Sequence, residues 1–224
     1  MDRVTYAEVM DRVTAALTAS GRRPDEVTVV AVSKTMTTGQ ILDVYAQGHR
    51  DFGENRADEM EAKAAALPGD IRWHFVGALQ SNKARSMRGI THLLHSMDRP
   101  SLGKAWMKGH GPAPPVLAEV NLGEEPQKSG VMASEIEAAL EWMVALGLEV
   151  RGLMAIPPVP DHPEDSRPYF AELRQIRDRL VRIFPHVTEL SMGMTDDFEV
   201  GIAEGASIIR VGRAIFGPRN STGA

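Results

Sequence analysis

Residues 28–35 read TVVAVSKT, a run of small and β-branched residues that contains a lysine near its end. Polar and turn-forming residues bound the run on both sides, so it predicts a buried β-strand. Side chains two positions apart share one face of a strand, and Lys34 should therefore point the same way as Val30 and Val32. A buried lysine is costly unless it is paired or chemically modified. The run alone also fits a strand that has already ended, with Lys34 reaching water.

The composition is that of an ordinary globular protein, because 43% of the 224 residues are hydrophobic and 25% are charged. A formal net charge of -5 favours neither nucleic acid nor an anionic membrane as a partner. Cysteine is absent, which excludes disulfides, thiolate nucleophiles and cysteine-ligated zinc and fits a reducing compartment. No secretory signal is evident at the N-terminus, and no run approaches the roughly 18 apolar residues of a spanning helix. We therefore expect a cytoplasmic protein.

Short apolar runs alternate with segments of helical periodicity after an amphipathic helix at about residues 3–20. The eight candidate strands are 27–33, 50–53, 72–77, 91–96, 115–121, 148–156, 188–193 and 207–212. This alternation predicts parallel strands joined by helical crossovers, either in an open doubly wound sheet or in a closed barrel. Eight repeats in about 200 residues favour a (β/α)8 TIM barrel. We expect it to span about residues 26–219 within a single domain.

The loops after the last two candidate strands contain glycines suited to an anion. In barrels of this kind, chemistry gathers at the carboxyl ends of the strands, and a phosphate commonly binds after strands seven and eight. Gly193 and Gly212 lie there, where glycine lets backbone N–H groups approach a ligand closely. Ser191 and Thr195 could add hydroxyl donors. Either glycine alone is also typical of an ordinary turn, but the pair favours a phosphate site.

A lysine in the barrel mouth, opposite such a phosphate site, suits a Schiff base with a phosphorylated aldehyde. Pyridoxal 5'-phosphate (PLP) is the common ligand of that description. Arg210 lies two residues before Gly212, where it could reach a ring nitrogen or the phosphate, or form a surface salt bridge. A sugar-phosphate isomerase or aldolase that uses Lys34 without a cofactor is an alternative.

The predicted strand at 91–96 contains His92 and His95. Residues three apart on a strand face opposite sides, which argues against a shared metal ion. We expect structural histidines and no metal site.

Six motifs, in order and at matching spacing, carry a resemblance to a known family. They are AVSKT (31–35), FGEN (52–55), WHFVGALQSNK (73–83), KSG (128–130), RGLMAI (151–156) and SMGMTDDFEVGIAEGASIIRVGRAIFG (191–217). Through them the chain resembles the pyridoxal phosphate homeostasis proteins, the YggS-like or PROSC family, from about residue 26 to 219. Two positions depart from the family pattern: Arg56 stands where an aromatic residue is usual, and Arg213 where serine or threonine is usual.

The resemblance implies a barrel of the alanine racemase N-terminal type, a fold-type III PLP barrel, with PLP bound covalently to Lys34. It also implies three sets of contacts. These are Ser191, Gly193, Met194, Gly212 and Arg213 at the phosphate, Asn55 and Met154 near the ring, and Arg210 at the pyridine nitrogen.

The same resemblance implies that two features needed for catalysis are missing or weakened. Related racemases take a second base from a tyrosine on an additional β-domain, whereas Tyr6, Tyr45 and Tyr169 fall on predicted helices or a helix junction. A permanent arginine cation at the pyridine nitrogen would also weaken the electron sink that many such enzymes use. We therefore expect a non-catalytic monomer that buffers PLP and delivers it to apo-enzymes in vitamin B6 and amino-acid homeostasis. The alternative is a weak PLP-dependent amino-acid racemase.

Overall fold

The structure, a computed structural model, describes residues 5–123 and 129–217. Its strands are β1 (Thr28–Val32), β2 (Asp51–Glu54), β3 (Arg72–Phe75), β4 (Thr91–Met97), β5 (Val116–Asn121), β6 (Val131–Met132), β7 (Val150–Met154), β8 (Glu189–Met194) and β9 (Ile208–Val211). Its helices are α1 (Tyr6–Ala19), α2 (Thr38–Tyr45), α3 (Ala57–Ala66), α4 (Ala84–Arg88), α5 (Pro100–Met107), α6 (Ile136–Ala145), α7 (Arg167–Leu180), α8 (Phe198–Ala203) and α9 (Arg213–Phe216).

Eight of these strands close into a parallel barrel. The order is β4-β3-β2-β1-β9-β8-β7-β5, and a further pairing between β4 and β5 closes the ring. The predicted (β/α)8 barrel is therefore confirmed, and each candidate strand corresponds to one barrel strand. The two-residue β6 pairs in addition with the end of β5 and was not predicted. Three predicted features lie outside the described residues: the start of the first helix, Lys128 of the KSG motif and the barrel bound at 219.

The alternation of side chains along each strand divides the core in two. In β1, Val29 and Ala31 belong to the large apolar layer between the barrel and its helices. Val30 instead packs inside the barrel with Leu93, Leu117, Met154 and Ile208, and Val32 packs against them. Full burial of one such aliphatic side chain contributes about 1.5–3 kcal/mol. This interior layer forms the floor beneath the carboxyl ends of the strands.

The first helix, α1, covers the outside of the barrel near its last strands. Thr5 and Glu8 form a capping box at its start, in which Glu8 Oε2 accepts from the Thr5 amide over 2.6 Å. Val9, Val13 and Leu17 recur every fourth residue and are buried. The helix packs against α8 and α9, and this contact supports the two elements that follow β8 and β9.

Within residues 5–123 and 129–217, no helix combines the length and the apolar character needed to cross a membrane.

Candidate functional site

A cavity of about 370 Å³ opens at the carboxyl ends of the barrel strands. This volume lies within the range of small-molecule sites. The loops after β1, β2, β3, β7, β8 and β9 all contribute to it. It is lined by Val32, Lys34, Asn55, Val76, Gly77, Ile156, Val159, Pro160, Met194, Thr195, Asp196, Asp197, Arg210, Gly212 and Arg213.

Lys34 lies two residues after the end of β1 and lines this cavity. Val30 packs inside the barrel and Val32 packs against the same interior layer, and Lys34 follows them in the turn after β1. The side chain is half-buried. Lys34 therefore lies at the barrel mouth, and its bond to a cofactor stays a prediction.

The turn after Lys34 contains an uncommon backbone conformation. Thr35 has a φ of 66°, in the left-handed region that few non-glycine residues adopt. Its amide nitrogen donates to Glu59 Oε1 over 2.6 Å. A carboxylate on α3 therefore holds the turn that positions Lys34.

A buried ion cluster supports this turn from the outer side of the barrel. Lys63 Nζ donates to Glu54 Oε1 over 2.7 Å, to Glu59 Oε1 over 2.6 Å and to the Ser33 carbonyl oxygen over 2.7 Å. Ser33 Oγ also donates to Glu54 Oε1 over 2.6 Å. Burial raises the pKa of Glu54, and hydrogen bonds from Lys63 and Ser33 oppose that rise. Sequence reasoning missed Lys63, although Glu54 of the FGEN motif pointed to a buried acid that requires a cation.

Arg210 occupies the wall of the cavity beside β8 and is only 4% exposed. Its Nη1 donates to the Ser191 carbonyl oxygen over 2.7 Å and to Ser191 Oγ over 2.6 Å, while Nη2 donates to the Ala155 carbonyl oxygen over 2.9 Å. Burial lowers the pKa of Arg210 to about 10, so the guanidinium stays charged at neutral pH. The alternative of a surface salt bridge is wrong, because the side chain is buried and held by uncharged groups.

Six of the nine predicted site residues line the cavity. They are Lys34, Asn55, Met194, Arg210, Gly212 and Arg213. Met154 and Ser191 lie beneath it, fully buried, because they face the barrel interior below the rim. Gly193 is also buried, and its φ of 91° lets β8 approach α8, since a Cβ there would lie 3.0 Å from Phe198 Cα. A direct contact between any of these three and a cofactor stays a prediction.

The loop after β8 is fixed by its own polar groups. The Met194 amide donates to Asp197 Oδ1 over 2.7 Å, and Asp197 Oδ2 accepts from Ser166 Oγ over 2.6 Å. Thr195 Oγ1 accepts from the Gly212 amide over 3.4 Å, which ties the loops after β8 and β9 together. The helix that follows, α8, begins at Phe198.

Arg213 begins α9 at the rim, where its guanidinium pairs with Asp196. Both side chains are 60% exposed. The side chain of Arg213 is thus directed to a carboxylate at the surface, whereas its backbone N–H belongs to the first turn of α9, where no preceding helical carbonyl accepts it.

Gly77 lines the cavity but was not among the predicted cofactor-binding residues. A Cβ at this position would lie 2.4 Å from the Asn55 carbonyl oxygen and 2.8 Å from Asn55 Cα. Glycine therefore allows the end of β3 to pack against the residue after β2. Within the described residues, Asn55 Oδ1 is buried and has no hydrogen-bond partner. An acceptor left unpaired at a cavity wall fits a ligand that carries a hydroxyl or N–H donor.

The three tyrosines of the chain lie away from the cavity. Tyr6 Oη pairs with His49 Nδ1, and Tyr45 Oη donates to Asp70 Oδ1. Tyr169 lies on α7 and packs against the outer core. None of the three lines the cavity that the described residues form.

The closed barrel and a cavity that contains a lysine and a buried arginine define a class, the fold-type III PLP barrels. A lysine/ornithine decarboxylase from Vibrio vulnificus shares this fold, with a TM-score of 0.68 at 13% identity over 92% of this chain and 62% of that one. PipY of Synechococcus elongatus is 35% identical, and its structure without PLP matches with a TM-score of 0.82 over 93% of this chain and 100% of that chain. The structure of PipY with PLP bound matches with a TM-score of 0.78 over 92% of this chain and 100% of that chain.

Curated sequence relatives agree with these structures. The pyridoxal phosphate homeostasis protein of Aquifex aeolicus is 40% identical over 95% of this chain and 96% of its own length. The protein of the same name from Escherichia coli is 36% identical over 96% of this chain and 95% of its own length. A comparison with profiles of protein families found no match. At this identity and coverage, the chain belongs to the pyridoxal phosphate homeostasis protein family.

Proposed function

We propose that this protein binds PLP covalently through Lys34 and acts as a non-catalytic carrier that buffers PLP and delivers it to apo-enzymes. The observation that carries the proposal is the position of Lys34 in a carboxyl-end cavity together with Arg210 and Gly212. The PLP-bound structure of PipY and the name of the curated relatives support it.

The residues of the cavity fit the chemistry of this cofactor, which supplies an aldehyde that condenses with a primary amine. Lys34 provides that amine. The Arg210 guanidinium, fixed by Ser191 and Ala155, supplies a permanent donor for the ring nitrogen. Asn55 Oδ1, buried and unpaired among the described residues, provides an acceptor for the ring hydroxyl.

We assign the phosphate to the loops after β8 and β9. Gly212 and Arg213 lie at the start of α9, and Met194 lies at the end of β8. Backbone N–H groups of the first turn of a helix are suited to a dianion. Because the Arg213 side chain pairs with Asp196, we propose that its contribution comes from the backbone.

The proposal of a carrier rather than an enzyme rests on the surroundings of Lys34. A racemase needs a second proton donor on the opposite face of its substrate. The tyrosines are held on α1, α2 and α7, away from the cavity. A cationic arginine at the ring nitrogen also keeps that nitrogen unprotonated, which disfavours carbanion chemistry.

We further propose that one domain, formed by the barrel and its N-terminal helix, carries this function as a cytoplasmic monomer. The barrel itself supplies the lysine, the buried arginine and the glycine loops of the cavity.

The test is a comparison of two lysine variants after incubation with PLP. The wild-type protein should develop a visible absorption band and retain the cofactor's mass after borohydride reduction, whereas Lys34→Ala should do neither. Lys83→Ala is the matched control, because Lys83 pairs with Asp58 at the surface, and it should behave as wild type. Retention of the mass by Lys34→Ala would overturn the attachment site. Sustained turnover of alanine or serine by the wild-type protein would instead favour the racemase.

A further inference from the structure

A continuous chain of hydrogen bonds runs through the barrel interior from Arg210 to the opposite end of the strands. Arg210 Nη1 donates to Ser191 Oγ over 2.6 Å, and Ser191 Oγ lies 2.8 Å from His95 Nδ1. His95 Nε2 lies 3.0 Å from His74 Nδ1, and His74 Nε2 lies 3.1 Å from Asp51 Oδ1. The chain thus links groups on β9, β8, β4, β3 and β2.

The last acceptor of this chain is a carboxylate that remains ionised. Arg72 donates to both carboxylate oxygens of Asp51, with Nε at 2.7 Å from Oδ1. Burial opposes ionisation of Asp51, but the hydrogen bonds from Arg72 and His74 outweigh it and hold its pKa well below the usual range. A carboxylate can only accept, so His74 Nε2 must carry a proton.

With both imidazoles neutral, each remaining proton has one possible place. A neutral His74 with a proton on Nε2 accepts at Nδ1, so His95 must donate from Nε2. His95 in turn accepts at Nδ1, and Ser191 donates its hydroxyl proton there. The Ser191 oxygen is left to accept from Arg210. Every hydrogen bond therefore points in the same direction, from the guanidinium to the carboxylate.

The surroundings of His95 favour its neutral form. His74 and His95 are 2% and 0% exposed. Burial, together with the neighbouring His74 and Arg210, lowers the pKa of His95 well below its ordinary value. Hydrogen bonds in series polarise one another in a low-dielectric interior, so the negative end stabilises the positive end.

The Asp51 end of this hydrogen-bond chain is open to water. A second cavity of about 310 Å³ lies at the amino ends of the strands and is lined by Asp51, Arg72, His74 and neighbouring side chains. The other charged or titratable groups around it are Asp25, Glu26, His92, Arg151 and Glu189.

We propose that Asp51, His74 and His95 are positioning residues, which orient Arg210 and stabilise its charge at the cofactor ring through Ser191. This inference rests on the proposed role of Arg210 toward PLP. It predicts that neutralising a carboxylate at the amino end of the barrel changes the properties of a cofactor at the carboxyl end, four hydrogen bonds away.

The test uses Asp51→Asn and His95→Leu, with His92→Gln as the control. His92 contacts the ring of His74, with centroids 5.5 Å apart, but is not part of the chain. For each protein loaded with PLP, one measures the dissociation constant and the pH midpoint of the visible band. Both test variants should weaken PLP binding by about tenfold and shift the midpoint, whereas the control should change neither.

A second measurement tests the proton positions of the hydrogen-bond chain in the protein without cofactor. Nitrogen-15 NMR of the imidazoles in the apo-protein should show a proton on Nε2 of both His74 and His95. If the test variants fail to fold, His95→Gln replaces them, because its amide can accept from Ser191 and donate to His74, and it should retain near-wild-type values. Unchanged affinity and midpoint in folded Asp51→Asn and His95→Leu, or the opposite tautomers, would overturn the inference. Failure of the wild-type protein to bind PLP would instead overturn the proposed function.

Discussion

The backbone amide of Thr35 donates to Glu59 Oε1 over 2.6 Å, and the same oxygen accepts from Lys63 Nζ. This relationship places a carboxylate of α3 against the residue that follows Lys34. Thr35 needs such support, because its φ of 66° costs on the order of 1–2 kcal/mol for a residue with a Cβ. The turn that carries Lys34 thus depends on the side chain of Glu59, which lies 25 positions further along the sequence.

Replacement of Glu59 by alanine should loosen this turn. The variant loses the hydrogen bonds to Thr35 and Lys63, and we expect a destabilisation of about 1–3 kcal/mol together with weaker retention of PLP. Glu61→Ala on the same helix is the control and should leave both quantities near wild type. Urea unfolding and the visible band would measure them, and equal effects of the two variants would show that the Thr35 turn does not need Glu59.

Replacement of Lys63 by methionine should be more damaging, because it leaves Glu54 buried without a cation. Glu54 is 0% exposed, and we expect a loss of about 3–5 kcal/mol in the free energy of unfolding. Adding Glu54→Gln should recover part of that loss, since the second variant removes the unpaired charge. Denaturant titration of the single and double variants gives the coupling free energy between Lys63 and Glu54. Two losses that simply add would mean that the two groups do not form a functional pair.

Gly77→Ala should abolish or strongly reduce PLP binding. The added Cβ would overlap the backbone of Asn55 and push the end of β3 away from the cavity wall. Gly69→Ala is the matched control, because a Cβ at Gly69 meets nothing within 4 Å. Thermal unfolding and a PLP binding titration would separate the local effect from general destabilisation. Normal affinity in Gly77→Ala would mean that the wall can move without consequence.

The buried histidines should make the protein less stable in mild acid. Burial lowers the pKa of His95 in the folded state, so the unfolded chain takes up a proton first as the pH falls. The stability is therefore fully present above pH ~6.5, and it falls below that value by about 1.4 kcal/mol per pH unit for each such group. His95→Gln should reduce this slope, whereas His110→Gln at an exposed position should not. Urea unfolding between neutral pH and pH ~5 would measure it, and a wild-type slope in His95→Gln would contradict the assignment.

The sequence was sufficient for the barrel and for the place of Lys34 at its mouth. Eight apolar runs separated by helical segments permit few topologies, and the period of two along β1 places Val30, Val32 and Lys34 on one face. The glycines after the last two strands likewise indicated where the loops of the cavity would lie. Such features depend on local pattern, which a sequence displays directly.

The polar interior was less accessible to prediction. His92 and His95 were expected on opposite faces of their strand, yet both rings contact His74, and the pairing of β3 with β4 shifts register between Trp73 and His74. The hydroxyl of Ser191 contacts Arg210 and His95, and the sequence indicated neither contact. These partners are separated by up to 96 residues, and only the barrel's curvature and stagger bring them together.

The position of β1 between β2 and β9 has a consequence for biosynthesis. Lys34 is translated well before Arg210 and Gly212, so the amine has no completed pocket until both of these residues have been synthesised. On the proposed attachment to Lys34, the nascent polypeptide would capture a reactive aldehyde only after the ring of strands has closed, and a truncated translation product should not sequester PLP.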